Sequence, residues 1–237
     1  RGMSANQTDP DVASFFSSWE IYRAVIDSDV MEHRAIYSKV HSILAQRTEP
    51  FTLLDLGCGD AAGIGTALEG TRLERYVGID CAAPALEFAG QTLTGLDAVI
   101  DLRLGDLMDS INDPTQRFDV ILVSFALHHF ADDDKRAFLT AARERLNPGG
   151  EVILIDVVRR PGESRDEYLS RYGTNVASWP LEADKQERIM AHVTGFDYPA
   201  DIIDEPQWAA DRGFDVEEFY RGGNDTQCAW RLLAAQS

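Results

Sequence analysis

Cysteine, basic charge and long apolar runs are all scarce in this chain. Its three cysteines, Cys58, Cys81 and Cys228, are scattered, odd in number and without metal-ligand spacing. That argues against a disulfide framework or a cysteine zinc site and suits a reducing compartment. Only 22 basic residues face 40 acidic ones, a net charge of -18 over 237 residues. Such a field repels polyanions, and phosphate contacts supply most nucleic-acid affinity, so no nucleic-acid partner is expected. The one gathering of positive charge, Arg159, Arg160, Arg165 and Arg171, reads either as a solvated helix face or as a surface for a small acidic molecule. No apolar stretch approaches the roughly 20 residues needed to cross a bilayer, and no signal peptide is visible. A cytoplasmic protein with no membrane partner is expected. Arg1 and Gly2 precede Met3 and read as an expression scar. Oligomeric state is left open.

Repeats, low-complexity tracts and Pro/Gly linkers are also missing, so organisation must be read from periodicity. The spacing predicts two amphipathic helices, 11–27 and 30–46, with Asp9-Pro10 and Asp27/Asp29 as start signals. Apolar strand-like runs follow at 52–56, 75–79, 99–104, 118–124 and 151–157, with helical patterns near 62–69, 84–93 and 133–146 between them. Short apolar strands alternating with helices imply an α/β fold, a parallel sheet covered on both faces. Ligands of such sheets sit at the carboxyl ends of the strands. After Val157 the rhythm changes: 159–213 reads as a helical cap punctuated by Pro161, Pro180, Pro199 and Pro206. Two strand-like runs, 214–220 and 227–234, then close on Gly222-Gly223-Asn224-Asp225 as an antiparallel hairpin. One domain over 3–237 is expected, with 3–47 as a lid and 159–213 as the substrate region.

The most informative segment is Phe51-Thr-Leu-Leu-Asp-Leu-Gly-Cys-Gly-Asp60, a buried-looking strand breaking into a loop with a carboxylate on either side. Gly57 and Gly59 let the backbone turn sharply and approach a ligand closely. Asp55 and Asp60 would repel a pyrophosphate but attract the sulfonium and ammonium of S-adenosylmethionine. Asp80, about 20 residues on and ending a strand, is placed to accept both ribose hydroxyls. Each such charge-assisted bond is worth roughly 1.5–3 kcal/mol. A helix N-cap is the competing use for Asp80. Asp106, after Gly105, is positioned to accept the adenine amine while the Leu107 amide reads a ring nitrogen; an ordinary loop aspartate is the alternative.

Five ordered motifs, Leu54 to Gly59, Val77 to Asp80, Gly105 to Leu107, Phe118 to Ser124 and Leu146-Asn-Pro-Gly-Gly150, resemble those of the class I S-adenosylmethionine-dependent methyltransferases, over roughly positions 30–237. The resemblance implies a Rossmann-like sheet of seven strands, mostly parallel with the last antiparallel. It implies methyl transfer from S-adenosylmethionine to a small molecule, releasing S-adenosylhomocysteine. It places Asp55 near the methionine ammonium, the Gly57-Cys58-Gly59 loop beneath the donor, Cys81 and Ala82 on one adenine face, and Leu107 on the other. Ser124, Phe125 and Ala126 would edge the sulfonium. Relatives often place a base about 20 residues before the first motif's acid; His33 and Arg34 both fit. Tyr22, with Trp19, Arg23 and Tyr37, belongs to helices that would close this site, although Trp19 and Tyr22 at i,i+3 read equally well as core packing.

An acceptor that must lose a proton would meet His128 or His129, just past the fourth strand, with an ordinary pKa of about 6.5 suited to proton abstraction. One of the two is expected to be structural, and His129 is favoured as the base. Asp156 either orients a histidine or caps a strand end. Arg165, Tyr168 and Tyr172 fall at i, i+3 and i+7, and with Arg160 this face is the candidate substrate surface. No metal requirement is expected; Asp132-Asp133-Asp134 reads as a helix start favouring acids. Two rival readings remain, an NAD(P)-dependent oxidoreductase using Gly57 to Ala62 with Asp80, and a non-catalytic module that binds the methyl donor.

Overall fold

A computed structural model describes the backbone of residues 10–235 and the side chains of residues 19–235. The start signal Asp9, the terminal Arg1-Gly2 and the outer ends of the 3–237 domain and 3–47 lid lie outside these residues. Seven strands form one sheet in the order β3-β2-β1-β4-β5-β7-β6: β1 Phe51–Leu56, β2 Leu73–Asp80, β3 Val99–Leu104, β4 Phe118–Ser124, β5 Leu146–Val157, β6 Phe214–Arg221 and β7 Gln227–Ala234. β7 runs antiparallel to both its neighbours and every other pairing is parallel. This is the expected Rossmann-like arrangement, with chain order reversing between β1 and β4.

The central strands are buried on both faces, which explains why they read as continuous apolar runs. One face packs β-residues such as Leu54, Val77, Ile121 and Leu154 against α5 Leu107–Ile111, α6 Asp132–Arg145 and α9 Asp204–Ala210. The other packs Leu53, Tyr76, Leu122 and Ile153 against α2 His33–Leu44, α3 Ala62–Leu68 and α4 Ala83–Thr92. α1 spans Pro10–Ser28, and α7 Arg165–Ala177 with α8 Ala183–Phe196 builds a third, smaller core with Met31, Val157 and Trp179.

Local differences from the sequence reading have local causes. α2 starts at His33 instead of 30, because Asp29 and Glu32 both take left-handed backbone and the Asp29 carboxylate accepts the Arg34 amide at 3.1 Å. The Asn147-Pro-Gly-Gly segment is drawn into β5, Leu146 pairing Phe118 before an irregularity lets Glu151 pair Val120. α5 has no apolar period long enough to announce it. The cap resolves into α7, α8 and α9, broken near Pro180 and Pro199; Pro206 lies in the first turn of α9, where its missing N–H costs nothing. The acids at 132–134 do open α6, and Arg143 and Arg145 close it, matching the helix dipole at both ends.

Two glycines should respond oppositely to alanine. A Cβ on Gly150 would lie 2.9 Å from the Asn147 carbonyl oxygen and 3.1 Å from that of Asp119, both backbone atoms. Gly150→Ala is expected to cost about 1–3 kcal/mol. Gly195, inside α8, has nothing within 4 Å of such a Cβ, so Gly195→Ala should stabilise by about 0.5–1 kcal/mol. Urea unfolding midpoints of the two variants provide the check.

Candidate functional site

At the carboxyl end of β1 the chain turns through Gly57 and Gly59, both at positive φ of 75° and 52°. The Gly57 and Cys58 amides both donate to the Ile79 carbonyl, at 2.8 and 3.0 Å, which locks the loop to β2. Asp80 completes the lock: its Oδ2 accepts the Gly59 amide at 2.9 Å and its Oδ1 accepts the Ala82 amide at 2.8 Å. The carboxylate is thereby fixed in plane with further lone pairs on each oxygen.

This loop floors a cavity of about 970 Å³. Of the sequence-predicted residues, Tyr22, His33, Asp55, Gly57, Cys58, Gly59, Asp80, Ser124 and Phe125 all line it, together with Trp19, Arg34, Tyr37 and Asp60. α1 reaches the loop from above, the Tyr22 hydroxyl and the Arg23 guanidinium donating to the two Asp60 oxygens at 3.3 and 3.1 Å. Trp19 stacks on Phe88 of α4 with ring centres 5.0 Å apart and planes at 5°. From α2, the Tyr37 hydroxyl donates to Ser124 Oγ at 3.0 Å.

Asp55 is fully buried, and its Oδ2 accepts the Tyr76 hydroxyl at 2.6 Å. Burial raises its carboxyl to about 7, a rise that the Tyr76 bond opposes and the nearby Asp80 charge reinforces. Tyr76 had no motif to mark it; its signal was only a large polar-tipped residue in the middle of β2. His33 is pushed down to about 4, chiefly by burial, so it is neutral at pH 7 and its Nδ1 has no hydrogen-bond partner. Of the two bases that spacing left unresolved, Arg34 therefore brings positive charge to the cavity and His33 does not.

Other predicted residues are placed elsewhere. Cys81, Asp106 and Leu107 do not line the cavity. Asp106 Oδ1 accepts the Met108 and Asp109 amides at 2.7 and 3.0 Å, capping α5, while Leu107 is buried in the core and Cys81 is exposed. His128 and His129 also lie outside it, in a short 3-10 turn after β4 that faces the end of α8. His128 Nδ1 is 2.5 Å from Asp156 Oδ1 and its amide donates to Asp156 Oδ2 at 2.8 Å. Burial would lower the His128 imidazole, but Asp156 outweighs it and holds it above its ordinary value. His129 is lowered to about 4 by burial and by His128.

The proposed substrate face of α7 is real but turned inward. Tyr168 and Tyr172 are buried in the cap core, Tyr172 donating to Met31 Sδ at 3.4 Å. Arg165 donates to the Asp197 and Thr194 carbonyls at 2.9 and 2.6 Å, and Arg160 binds Asp225 at 3.2 Å. Arg171 is neutralised by Glu163, both contacts at 2.7 Å. The basic cluster is thus spent on holding the cap together.

The strand order, glycine loop and strand-end acid define a Rossmann-like methyltransferase fold. A model of the family described as a methyltransferase domain matches residues 53–150. The carboxy-S-adenosyl-L-methionine synthase of Idiomarina loihiensis is 25% identical over 154 residues, 63% of each chain. A phosphoethanolamine N-methyltransferase of Triticum aestivum is 29% identical over 118 residues, 50% of this chain and 23% of that one. The chain therefore spans under two thirds of these relatives' lengths. Among solved structures, a DhpI complex with S-adenosylhomocysteine superposes at a TM-score of 0.56, with 18% identity over 90% of this chain and 98% of that one. Residues 53–150 thus carry a methyltransferase domain, and the chain is similar to S-adenosylmethionine-dependent methyltransferases with the class I fold. Among the described residues, no helix is long and apolar enough to cross a membrane.

The raised Asp55 carboxyl gives a pH signature. A ligand ammonium placed beside it would favour the ionised form, so such binding would need Asp55 deprotonated and would weaken as pH falls through about 7. Affinity for S-adenosylhomocysteine, measured by calorimetry between pH 5.5 and 8, should fall by up to about tenfold per unit below 7. Asp55→Asn should flatten the profile; an equally steep profile in that variant would assign the proton elsewhere.

Proposed function

We propose that the chain transfers the methyl group of S-adenosylmethionine to a small, uncharged or cationic acceptor through nitrogen or oxygen, releasing S-adenosylhomocysteine. The observation that carries this reading is the Asp80 carboxylate, held by two backbone amides at the rim of the cavity that Asp55 closes from below. The residues present fit such a donor. Asp80 offers paired acceptors for ribose hydroxyls, the positive-φ glycines add no side chain to the cavity floor, and the buried Asp55 gains a partner for its charge. The bound donor supplies an electrophilic methyl group on a sulfonium.

The protein's own contribution is alignment and charge. Holding two reactants in line converts a bimolecular displacement into an effectively unimolecular one, with effective molarities of about 10⁵ M or more. Ser124 and Phe125, at the end of β4, and Tyr37, fixed by its bond to Ser124, border the reacting end. His33 lines the cavity with an unpartnered ring nitrogen, but an imidazole lowered to about 4 by burial is a weak base, and His128 and His129 lie outside the cavity, so the reading rests on alignment and not on a general base.

Acceptor charge follows from the lining. Asp27, Asp29, Asp55, Asp60, Glu69 and Asp80 face the cavity against Arg34 as its fixed cation. A carboxylate or phosphate acceptor would enter against that field, while an amine or neutral hydroxyl would not. The cap residues Arg165 and Arg171 are committed to carbonyls and carboxylates and not to an anionic acceptor. The acid-rich cavity likewise disfavours the pyrophosphate of NAD.

Thermal unfolding with each ligand separates the readings: S-adenosylmethionine and S-adenosylhomocysteine should raise the midpoint and NAD should not. Asp80→Ala should lower S-adenosylhomocysteine affinity by at least about tenfold, the loss of one or two charge-assisted bonds. Labelled donor incubated with fractionated amine and alcohol metabolites, read by mass spectrometry, tests the transfer. Tight donor binding with no labelled product would favour a non-catalytic binding module; stabilisation by NAD alone would overturn the assignment.

A further inference from the structure

Between the sheet and the cap, outside the donor cavity, three imidazoles surround one carboxylate oxygen. Asp197, just past α8, is 4% exposed, and its Oδ1 has no hydrogen-bond donor. Around that atom lie His129 Nδ1 at 3.6 Å, His128 Nε2 at 3.8 Å and His192 Nε2 at 3.9 Å. A buried carboxylate oxygen without a donor is costly, about 1–3 kcal/mol or more, unless something occupies the space it faces.

We propose that His128, His129 and Asp197 form a binding site for a divalent transition-metal ion of the zinc class, with His192 as a fourth ligand from α8. The ligand atoms of the first three lie within 4.8 Å of one another. Tetrahedral bonds of about 2.0–2.1 Å to nitrogen and oxygen place ligand atoms roughly 3.4 Å apart. The separations of 3.6–3.9 Å about Asp197 Oδ1 exceed this by a few tenths of an ångström, and the two imidazoles of His128 and His129 lie within 4.8 Å of each other.

The second layer supports the same reading. Asp156 accepts from His128 Nδ1, which fixes the tautomer and leaves Nε2 with its lone pair toward Asp197. Two carboxylates, Asp156 and Asp197, supply the negative charge a divalent ion needs. The neighbouring cations are committed elsewhere, Lys135 to the Tyr198 carbonyl and to Asp132 at 3.2 Å, and Arg165 to the Asp197 and Thr194 carbonyls. His129 Nδ1 would exchange its long 3.4 Å contact with the Phe196 carbonyl for the metal, its proton moving to Nε2. His192 sits on an exposed part of α8 with its ring 5.5 Å from that of His129, free to turn inward. With imidazole and carboxylate donors and no thiolate, zinc suits the set better than calcium or magnesium. The ion would tie the turn after β4 to the end of α8, joining the cap to the sheet.

The full chain, stripped with a chelator, should take up one equivalent of Zn²⁺ in competition with a fluorescent indicator, confirmed by elemental analysis after dialysis. Co²⁺ in its place should give the visible absorption of a tetrahedral site. Asp197→Asn and His129→Ala should each weaken Zn²⁺ binding by at least about 100-fold. His41→Ala, at a histidine bonded to the Ala67 carbonyl far from this cluster, should bind as wild type. Circular dichroism establishes that each variant is folded. Less than a tenth of an equivalent bound by wild type, or unchanged affinity in Asp197→Asn, overturns the proposal. None of these readings depends on the methyl donor.

Discussion

One carboxylate, that of Asp80, joins the two strand-to-helix crossovers on which the donor cavity is built. Its oxygens take the Gly59 amide from the loop after β1 and the Ala82 amide from the loop before α4. With the Gly57 and Cys58 amides on the Ile79 carbonyl, four backbone donors of two loops are satisfied within the end of β2. An unsatisfied buried amide costs about as much as a lost hydrogen bond, so the loop has little freedom to take another path. The cavity floor is therefore preorganised by the fold, and both carboxylate oxygens keep lone pairs for a ligand.

The neighbouring acids divide the remaining work by their partners. Asp60 is paired with Arg23 and Tyr22 of α1, so its charge is spent on holding the N-terminal helix over the loop. Asp55 is buried, and burial lifts its carboxyl to about 7 against the opposing bond from the Tyr76 hydroxyl, which leaves it poised for a cation. Asp156, at the end of β5, accepts from the Val157 amide, the His128 amide and the His128 ring. That full complement makes it a fastener of the turn after β4 rather than a free acid. Three similar residues at or just past strand ends thus have three different fates, decided by which donors reach each one.

Much of the fold was legible because its strands carry their own signal: fully buried parallel strands must be apolar throughout, and glycines must stand where φ is positive. The residues along β1 and its loop, Asp55 to Gly59 and then Asp80, were legible for the same reason, since strand, turn and acid follow at short range. Asp106 shows the limit. Its spacing suited adenine, but α5 begins one residue later, and five residues are too few to show a helical period. Tyr168 and Tyr172 show another. The i, i+3, i+7 spacing gave the right helix face, yet periodicity does not tell whether a face meets a ligand or a second helix, and here α8 and Met31 cover it. His128 and His129 were assigned by proximity to a strand end, while the carboxylates that claim them come from β5 and from Asp197, 68 residues along the chain.

That long-range closure bears on how the cap and sheet work together. α7 buries its tyrosines against Trp179 and the apolar face of α8, and Arg165 and Arg171 satisfy their own loop carbonyls and carboxylates, so the cap offers few free polar groups to an acceptor. What touches the donor cavity from above comes instead from α1 and α2, through Trp19, Tyr22, His33 and Tyr37. Phe125 links the two regions, lining the cavity while packing against both the α2 side of the sheet and the cap core. A shift of the cap relative to β4 must therefore move Phe125, and with it the wall beside Ser124. On the proposed reading, the side chains that would meet an acceptor come from the two N-terminal helices, with the cap as the support behind Phe125.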